Sequence, residues 1–271
     1  MSSILLISLL LLGVFSYRYG WWIPAVDYRQ PRILMYHMVS AHKFGQDFKG
    51  LRVPPLLFER QIRHLSDNGW QFVTMTELMA RQNVHEKTVA ITFDDGYEDN
   101  YIHALPVLKK YGAKATLYLV VDRHGRDWSV NKKAHHNTGE LAREPKLTDV
   151  QLREMLDSGV FELGAHSLTH LNLKTASPRQ REHEIVQGKQ RLETQFATSV
   201  TSFAYPFGIY EPGDVAMTRD AGYLSAVTTI EGINADIHAD RFELKRVKIS
   251  GKDNFLAFVL RLRTGRRGWR K

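Results

Sequence analysis

Short apolar, β-branched runs alternate with amphipathic helical patterns along most of this chain, and that alternation constrains the fold more than any other feature. Strand-like runs occur at 32–36, 71–73, 89–93, 115–121, 161–164, 202–205, 224–228 and 244–249. Between them, 55–68 places Phe58, Ile62 and Leu65 on one helix face and stops at Gly69. The stretch 100–111 repeats the scheme with Ile102, Leu105 and Leu108 before Gly112. Thr148 followed by Gln151 is a capping box, and Ser177 followed by Pro178 is a helix start. Strands separated by helices pair in parallel, because a parallel neighbour needs a crossover long enough to hold a helix. The recurrence predicts an α/β fold, a (β/α) barrel. At 271 residues the chain can bury one substantial core, so one domain with terminal appendages is the economical reading.

Two segments sit where such a fold builds its sites, at the C-terminal ends of strands. Thr92-Phe93-Asp94-Asp95-Gly96-Tyr97 follows the run 89–91, and His166-Ser167-Leu168-Thr169-His170 follows 161–164. Two histidines and one carboxylate can bind a borderline divalent ion such as zinc and leave a coordination position for water. Each segment alone is ordinary: an Asp pair before Gly is a common turn, and 12 histidines make one His-x-x-x-His spacing unsurprising. Their joint occurrence after strand-like runs, followed by Phe203-Ala204-Tyr205-Pro206-Phe207-Gly208, sets them apart. The polar stretches 40–54 and 122–146 also follow strands, so both should border the mouth of the site. His135 and His136, in the second, read as solvated and are left out of the metal site.

The absence of cysteine excludes disulfides, thiolate metal sites and a lipid-modified N-terminal Cys, and it fits an oxidising compartment. Residues 4–15 are apolar apart from Ser8 and Gly13, long enough for a signal-peptide core and short of the roughly 20 residues of a full span. Tyr17, Tyr19, Trp21 and Trp22 then resemble an interfacial anchor. Residues 1–24 are therefore read as an uncleaved signal anchor, with a signal peptide cleaved near Val14-Phe15-Ser16 as the alternative. Arg18, after the apolar run, opposes this topology under the positive-inside rule. Either reading exports the domain, 25–254, to the cell envelope outside the cytoplasm. The net charge of +8 owes much to Arg261, Arg263, Arg266, Arg267, Arg270 and Lys271. The stretch 255–271 reads as a basic tail, solvated or drawn to anionic headgroups at about 1 kcal/mol per basic residue near the surface. Nucleic acid is a poor partner for an exported chain without aromatics interleaved among its basic residues.

Thr-Phe-Asp-Asp-Gly, His-Ser-x-x-His and the Tyr-Pro-Phe-Gly turn, in this order, resemble the polysaccharide deacetylase family (NodB-homology, carbohydrate esterase 4), from about Arg32 to about Gly251. Leu34-Met35-Tyr36-His37 and the Phe-Ala-Tyr-Pro-Phe-Gly form are most similar to the poly-β-N-acetylglucosamine deacetylases of biofilm export systems. The resemblance implies a distorted barrel that removes N-acetyl groups from N-acetylglucosamine-containing polysaccharide. It assigns Asp95, His166 and His170 to a divalent metal, most naturally Zn2+, Asp94 to the general base, and the amide of Phe207 to the oxyanion. The family's late Leu-x-His motif is not recognisable here, so His37, at the end of the first strand, is the substitute general acid. The arginine that often opens the third motif is replaced by Ala204, and Arg246 is taken to orient Asp94 instead. Tyr97, Trp128 and Tyr210 are available to stack on sugar faces. The same residues admit a peptidoglycan or lipid-linked-sugar deacylase, and, from other classes, a non-catalytic carbohydrate-binding protein or a tether in a polysaccharide export or synthesis complex.

Overall fold

The computed structural model describes residues 2–132 and 138–268. Its strands are β1 (Arg32–Tyr36), β2 (Gln71–Val73), β3 (Thr88–Asp95), β4 (Ala115–Leu119), β5 (Phe161–Ala165), β6 (Ser202–Ala204), β7 (Ser225–Glu231) and β8 (Leu244–Lys248). All pair in parallel. A ring closes in the order β1-β3-β4-β5-β6-β7-β8 and back to β1, while β2 lies beside the start of β3. The expected α/β architecture is thus a seven-stranded, distorted barrel. Helices α1 (Ser2–Tyr19), α2 (Pro55–Asp67), α3 (Met75–Ala80), α4 (Leu105–Lys110), α5 (Glu140–Arg143), α6 (Asp149–Asp157), α7 (Pro178–Phe196), α8 (Pro212–Asp220) and α9 (Phe255–Thr264) complete the element order. Thr148 and Ser177 cap α6 and α7 through full capping boxes.

The period-2 alternation of β3 divides the core into two layers. Val89, Ile91 and Phe93 face the helices, where the Phe93 ring meets Tyr36, Phe58 and Phe161 at 5.5, 5.9 and 5.8 Å. Ala90 faces the barrel interior with Ile33, Tyr118, Ala204, Val227 and Leu244. Thr92 and Asp94 share the face of Ala90, so the alternation delivers Asp94 to the inside of the barrel.

Two expectations change in detail, the helix at 100–111 and the basic tail at 255–271. The helix expected at 100–111 opens as a π-helical turn, Asn100–Ala104, before α4; this turn buries Asn100, whose Nδ2 donates to the carbonyl of His37 at 2.9 Å. The two long polar loops are tied to each other: buried Arg52 donates from Nη2 to Glu140 at 2.7 Å and Glu144 at 2.9 Å, and the amide of Asp47 donates to Glu140 at 2.7 Å. His135 and His136 lie outside the described residues.

The basic tail read at 255–271 begins instead as α9, capped by Asn254 and burying Ala257, Phe258 and Leu262. Phe255, Phe258 and Leu262 recur at helical spacing, which the surrounding arginines masked. Arg261 is not solvated: it reaches back to Asp253 at 2.9 Å from Nε and also pairs with Glu231. The end of α1 is fastened to α9, since Asn254 Nδ2 donates to the Tyr19 hydroxyl at 3.1 Å and Arg263 Nη1 to the carbonyl of Trp21 at 3.0 Å. The apolar side chains of α1 are exposed, Ile4 by 73% and Leu6 by 70%. Among the described residues no helix is long and apolar enough to cross a membrane.

Candidate active site

The C-terminal ends of the strands open on a cavity of about 440 Å3 whose lining includes His37, Asp94, Asp95, His166, His170 and Phe207. Adjacent strand residues point to opposite faces, so two consecutive carboxylates reach one cavity only if the strand is broken between them. The break is at Asp95, in the left-handed region at φ 80, followed by Gly96 at φ 82. A Cβ on Gly96 would lie 2.4 Å from Leu119 Cδ1, so the turn takes glycine for space as well as for conformation. His170 (φ 58) and Phe207 (φ 59) are also left-handed, at a cost of roughly 1–2 kcal/mol for each L-residue held there. Strain of this kind collects at functional sites, where the surrounding fold must over-determine it. Behind Phe207, Gly208 would place a Cβ 2.0 Å from Thr229 Oγ1, while that hydroxyl donates to the Phe207 carbonyl at 3.2 Å.

Three buried donors converge in this cavity. Asp95 Oδ1 lies 3.5 Å from His166 Nε2 and 3.3 Å from His170 Nε2, and the two Nε2 atoms are 3.1 Å apart. His166 Nδ1 stands 2.8 Å from the carbonyl of Ala204, a contact that fixes the ring with Nε2 toward Asp95 and His170. Burial works to raise the Asp95 pKa, but hydrogen bonds from both imidazoles outweigh it and hold the carboxyl well below the aspartate range. Burial lowers His170, favouring the neutral ring that a ligand must present. At His166 burial acts in the same direction, but the hydrogen bond to Asp95 prevails and the pKa rises. Two buried nitrogens and one buried oxygen, all within 4.8 Å of one another, fit a divalent cation of borderline softness.

Asp94 has a different environment. Arg246, 1% exposed, donates from Nη1 to Oδ1 and from Nη2 to Oδ2, both at 2.7 Å. The guanidinium is itself fixed by Nε on the carbonyl of Thr228 at 2.8 Å and by Nη1 on Thr92 Oγ1 at 3.0 Å. Burial would raise the Asp94 pKa, but the charge and hydrogen bonds of Arg246 bring it below the ordinary value. His37 Nε2 lies 4.0 Å from Asp94 Oδ2, and burial lowers the pKa of this imidazole.

The structure therefore brings Asp94, Asp95, His37, His166, His170 and Phe207 to one cavity, with Arg246 behind Asp94. Of the aromatics expected to stack on sugar, only Trp128 lines the cavity, where its ring lies on His170. Tyr97 is 1% exposed and belongs to the core, and Tyr210 is stacked on Tyr205 with centroids 4.3 Å apart. Thr92 was not singled out by its sequence, although it lies two residues before Asp94 on the same strand face and supports Arg246. Lys146 was missed too; nothing in its local pattern marks a buried ammonium.

A parallel barrel with two imidazoles and a carboxylate converging at its strand ends, beside a carboxylate held by a buried arginine, has the layout of an α/β-barrel hydrolase. Residues 81–226 match the family model described as polysaccharide deacetylase. Over 233 residues the chain is 36% identical to YxkH of Bacillus subtilis (strain 168), a protein named for polysaccharide deacetylation; the match covers 84% of this chain and 75% of that one. The chain belongs to the polysaccharide deacetylase family. Its activity is that of a polysaccharide N-deacetylase. It is also similar to the poly-β-1,6-N-acetyl-D-glucosamine N-deacetylase of Staphylococcus aureus (strain MSSA476), 26% identical over 70% of this chain and 68% of the relative. Among solved structures it is similar to the Streptococcus pyogenes deacetylase PplD in complex with acetate, with TM-score 0.70 and 27% identity over 88% of this chain and 98% of that one. Deacetylases of this family are metal-dependent, and Asp95, His166 and His170 could hold the ion.

Proposed function

We propose that this enzyme removes N-acetyl groups from an N-acetylglucosamine-containing, poly-β-N-acetylglucosamine-like polysaccharide, with Zn2+ held by Asp95, His166 and His170 and with Asp94 as general base. The observation that carries this reading is the division of labour between adjacent carboxylates: Asp95 faces two imidazoles, while Asp94 is bound on both oxygens by Arg246. Similarity to the staphylococcal relative supports the choice of glycan. A divalent cation held at the site would supply Lewis acidity, polarising the acetamide carbonyl and lowering the pKa of water so that it can give up a proton near neutral pH.

The protein's own groups complete the reaction. Arg246 keeps Asp94 ionised and fixes its plane, and a carboxylate with one hydrogen bond on each oxygen still has lone pairs to accept the proton of the attacking water. The amide of Phe207 donates to the oxygen on which charge develops. His37, whose Nε2 stands 4.0 Å from Asp94 Oδ2, gives a proton to the departing amine nitrogen as the carbon–nitrogen bond breaks. We further assign the domain to the cell envelope outside the cytoplasm, anchored in the lipid through α1 with Trp21 and Trp22 at its surface, where an export or synthesis complex would supply the polymer.

Mass spectrometry of a panel containing poly-N-acetylglucosamine oligomers, peptidoglycan fragments and lipid-linked N-acetylhexosamine tests the reading. Loss of acetyl groups from the first, abolished by a chelator and restored by Zn2+, is the expected result. Deacetylation of peptidoglycan or lipid-linked sugar alone would replace the substrate, and no deacetylation of any member would sink the proposal. Removal of residues 1–24 should release the protein from membranes, and unchanged membrane association would end the anchor assignment.

A further inference from the structure

His166 and His170 are held in different ways. The Nδ1 of His166 is tied to the carbonyl of Ala204, whereas the Nδ1 of His170 is buried with no hydrogen-bond partner among the described residues. A ligating imidazole is normally aimed by the hydrogen bond of its second nitrogen. His170 is aimed by rings instead. Trp128 stacks on it with centroids 5.0 Å apart and 29° between the planes, and Phe207 meets it edge-on at 4.3 Å.

Trp128 stands on a short 3-10 turn, Trp128–Asn131, in the long loop after β4 and not on a barrel strand. What steadies it is a buried cation. Lys146 is 6% exposed; its ammonium donates to the carbonyls of Leu141 at 2.6 Å and Glu144 at 2.9 Å. The same Nζ lies over the ring of Trp128 at 4.9 Å and that of Tyr97 at 4.5 Å. An ammonium has three donors and no acceptor, so two carbonyls and two π faces account for its charge out of water. The backbone on either side is stitched to the strand end that carries Asp95: Leu147 donates to the Gly96 carbonyl and Glu98 to that of Pro145, both at 3.0 Å. Lys146 thus joins the loop holding Trp128 to the turn holding Asp95.

We propose that Lys146 is a positioning residue that acts through Trp128 to fix the imidazole of His170 in the orientation the metal requires, the task that the carbonyl of Ala204 performs for His166. This rests on the reading of Asp95, His166 and His170 as metal ligands. The test is Co2+ titration of the full chain, following visible absorption and affinity in the wild type, Lys146→Met, Trp128→Leu and the double variant. Lys146→Met keeps the length of the side chain and should bind Co2+ about 10-fold to 100-fold more weakly, with an altered band shape, as loss of an outer partner typically does. Trp128→Leu should act alike, and the double variant should be no weaker than Trp128→Leu, because both changes reach the same imidazole. Lys146→Arg, which returns a cation to the rings, should restore the band. A folded Lys146→Met with wild-type affinity and spectrum, or losses that add in the double variant, would overturn the proposal. If Lys146→Met does not fold, Lys146→Gln carries the same comparison. A wild type that takes up no Co2+ would instead overturn the metal-site reading beneath it.

Discussion

Removing the guanidinium behind Asp94 should reverse the way pH affects the stability of this protein. In the wild type the folded Asp94 pKa lies below the ordinary 3.8, because Arg246 outweighs the burial that would raise it. A carboxyl depressed in the folded state adds stability that is present above its unfolded pKa and lost as pH falls through the folded value. In Arg246→Met only the burial remains, so the folded pKa should stand above the unfolded one. Asp94 then costs nothing in acid, where it is protonated in both states, and its penalty grows as pH rises from the unfolded value to the raised folded one. Both Asp94 oxygens lose a bond of 2.7 Å, and the carboxylate is 2% exposed. Leaving one partner of a buried ion pair unmatched costs about 3–5 kcal/mol. Urea unfolding of the chelator-treated protein across acid to neutral pH should therefore show near-coincident stabilities in acid and a gap of about 3–5 kcal/mol at neutrality. Adding Asp94→Asn removes the stranded charge, so the double variant should regain most of that gap while staying inactive. Parallel curves for wild type and Arg246→Met at every pH, or a double variant as unstable at neutrality as the single one, would refute the reasoning.

His166→Ala, His170→Ala and Asp95→Asn should each abolish deacetylation and bound metal, because two remaining ligands leave too open a shell; elemental analysis showing stoichiometric metal with activity would remove that residue from the set. Asp94→Asn should keep its metal yet lose about 100-fold to 10,000-fold in kcat, the usual range for a general base, and near-normal turnover would end the base assignment. His37→Ala should bind metal but fail on amide substrates, while an activated aryl ester, whose leaving group departs without a proton, should suffer far less. Its kcat profile should also lose the alkaline decline that reports deprotonation of this imidazole. Equal losses on amide and ester would make His37 structural.

Much of the barrel and the corners of its site follow from local pattern. The run before Asp94 is β-branched and buried at every position of β3, and such a run carries its own strand assignment. β1, buried throughout, leads in the same way to His37, and the largely buried β5 leads to His166, so three cavity residues were legible as strand ends. The C-terminal helix was not, because the arginines flanking Phe258 and Leu262 read as solvated charge until Asp253 and Glu231 are seen beside Arg261.

The sequence by itself determined which ionisable side chains would stand at the ends of strands, since strand period, helix caps and the Asp-Asp-Gly turn are properties of neighbours in the chain. Only the tertiary structure decided how they are held. Arg246 meets Asp94 across 152 residues because closure of the ring brings β8 beside β1 and turns both side chains inward. Ala204, which by sequence is merely the place of a missing arginine, supplies the carbonyl that aims His166, and Lys146 meets Trp128 from another part of the loop. Carbonyl placement and a buried ammonium have no local signature: a backbone oxygen is the same at every residue, and lysine is burial-prone only where the fold provides its partners.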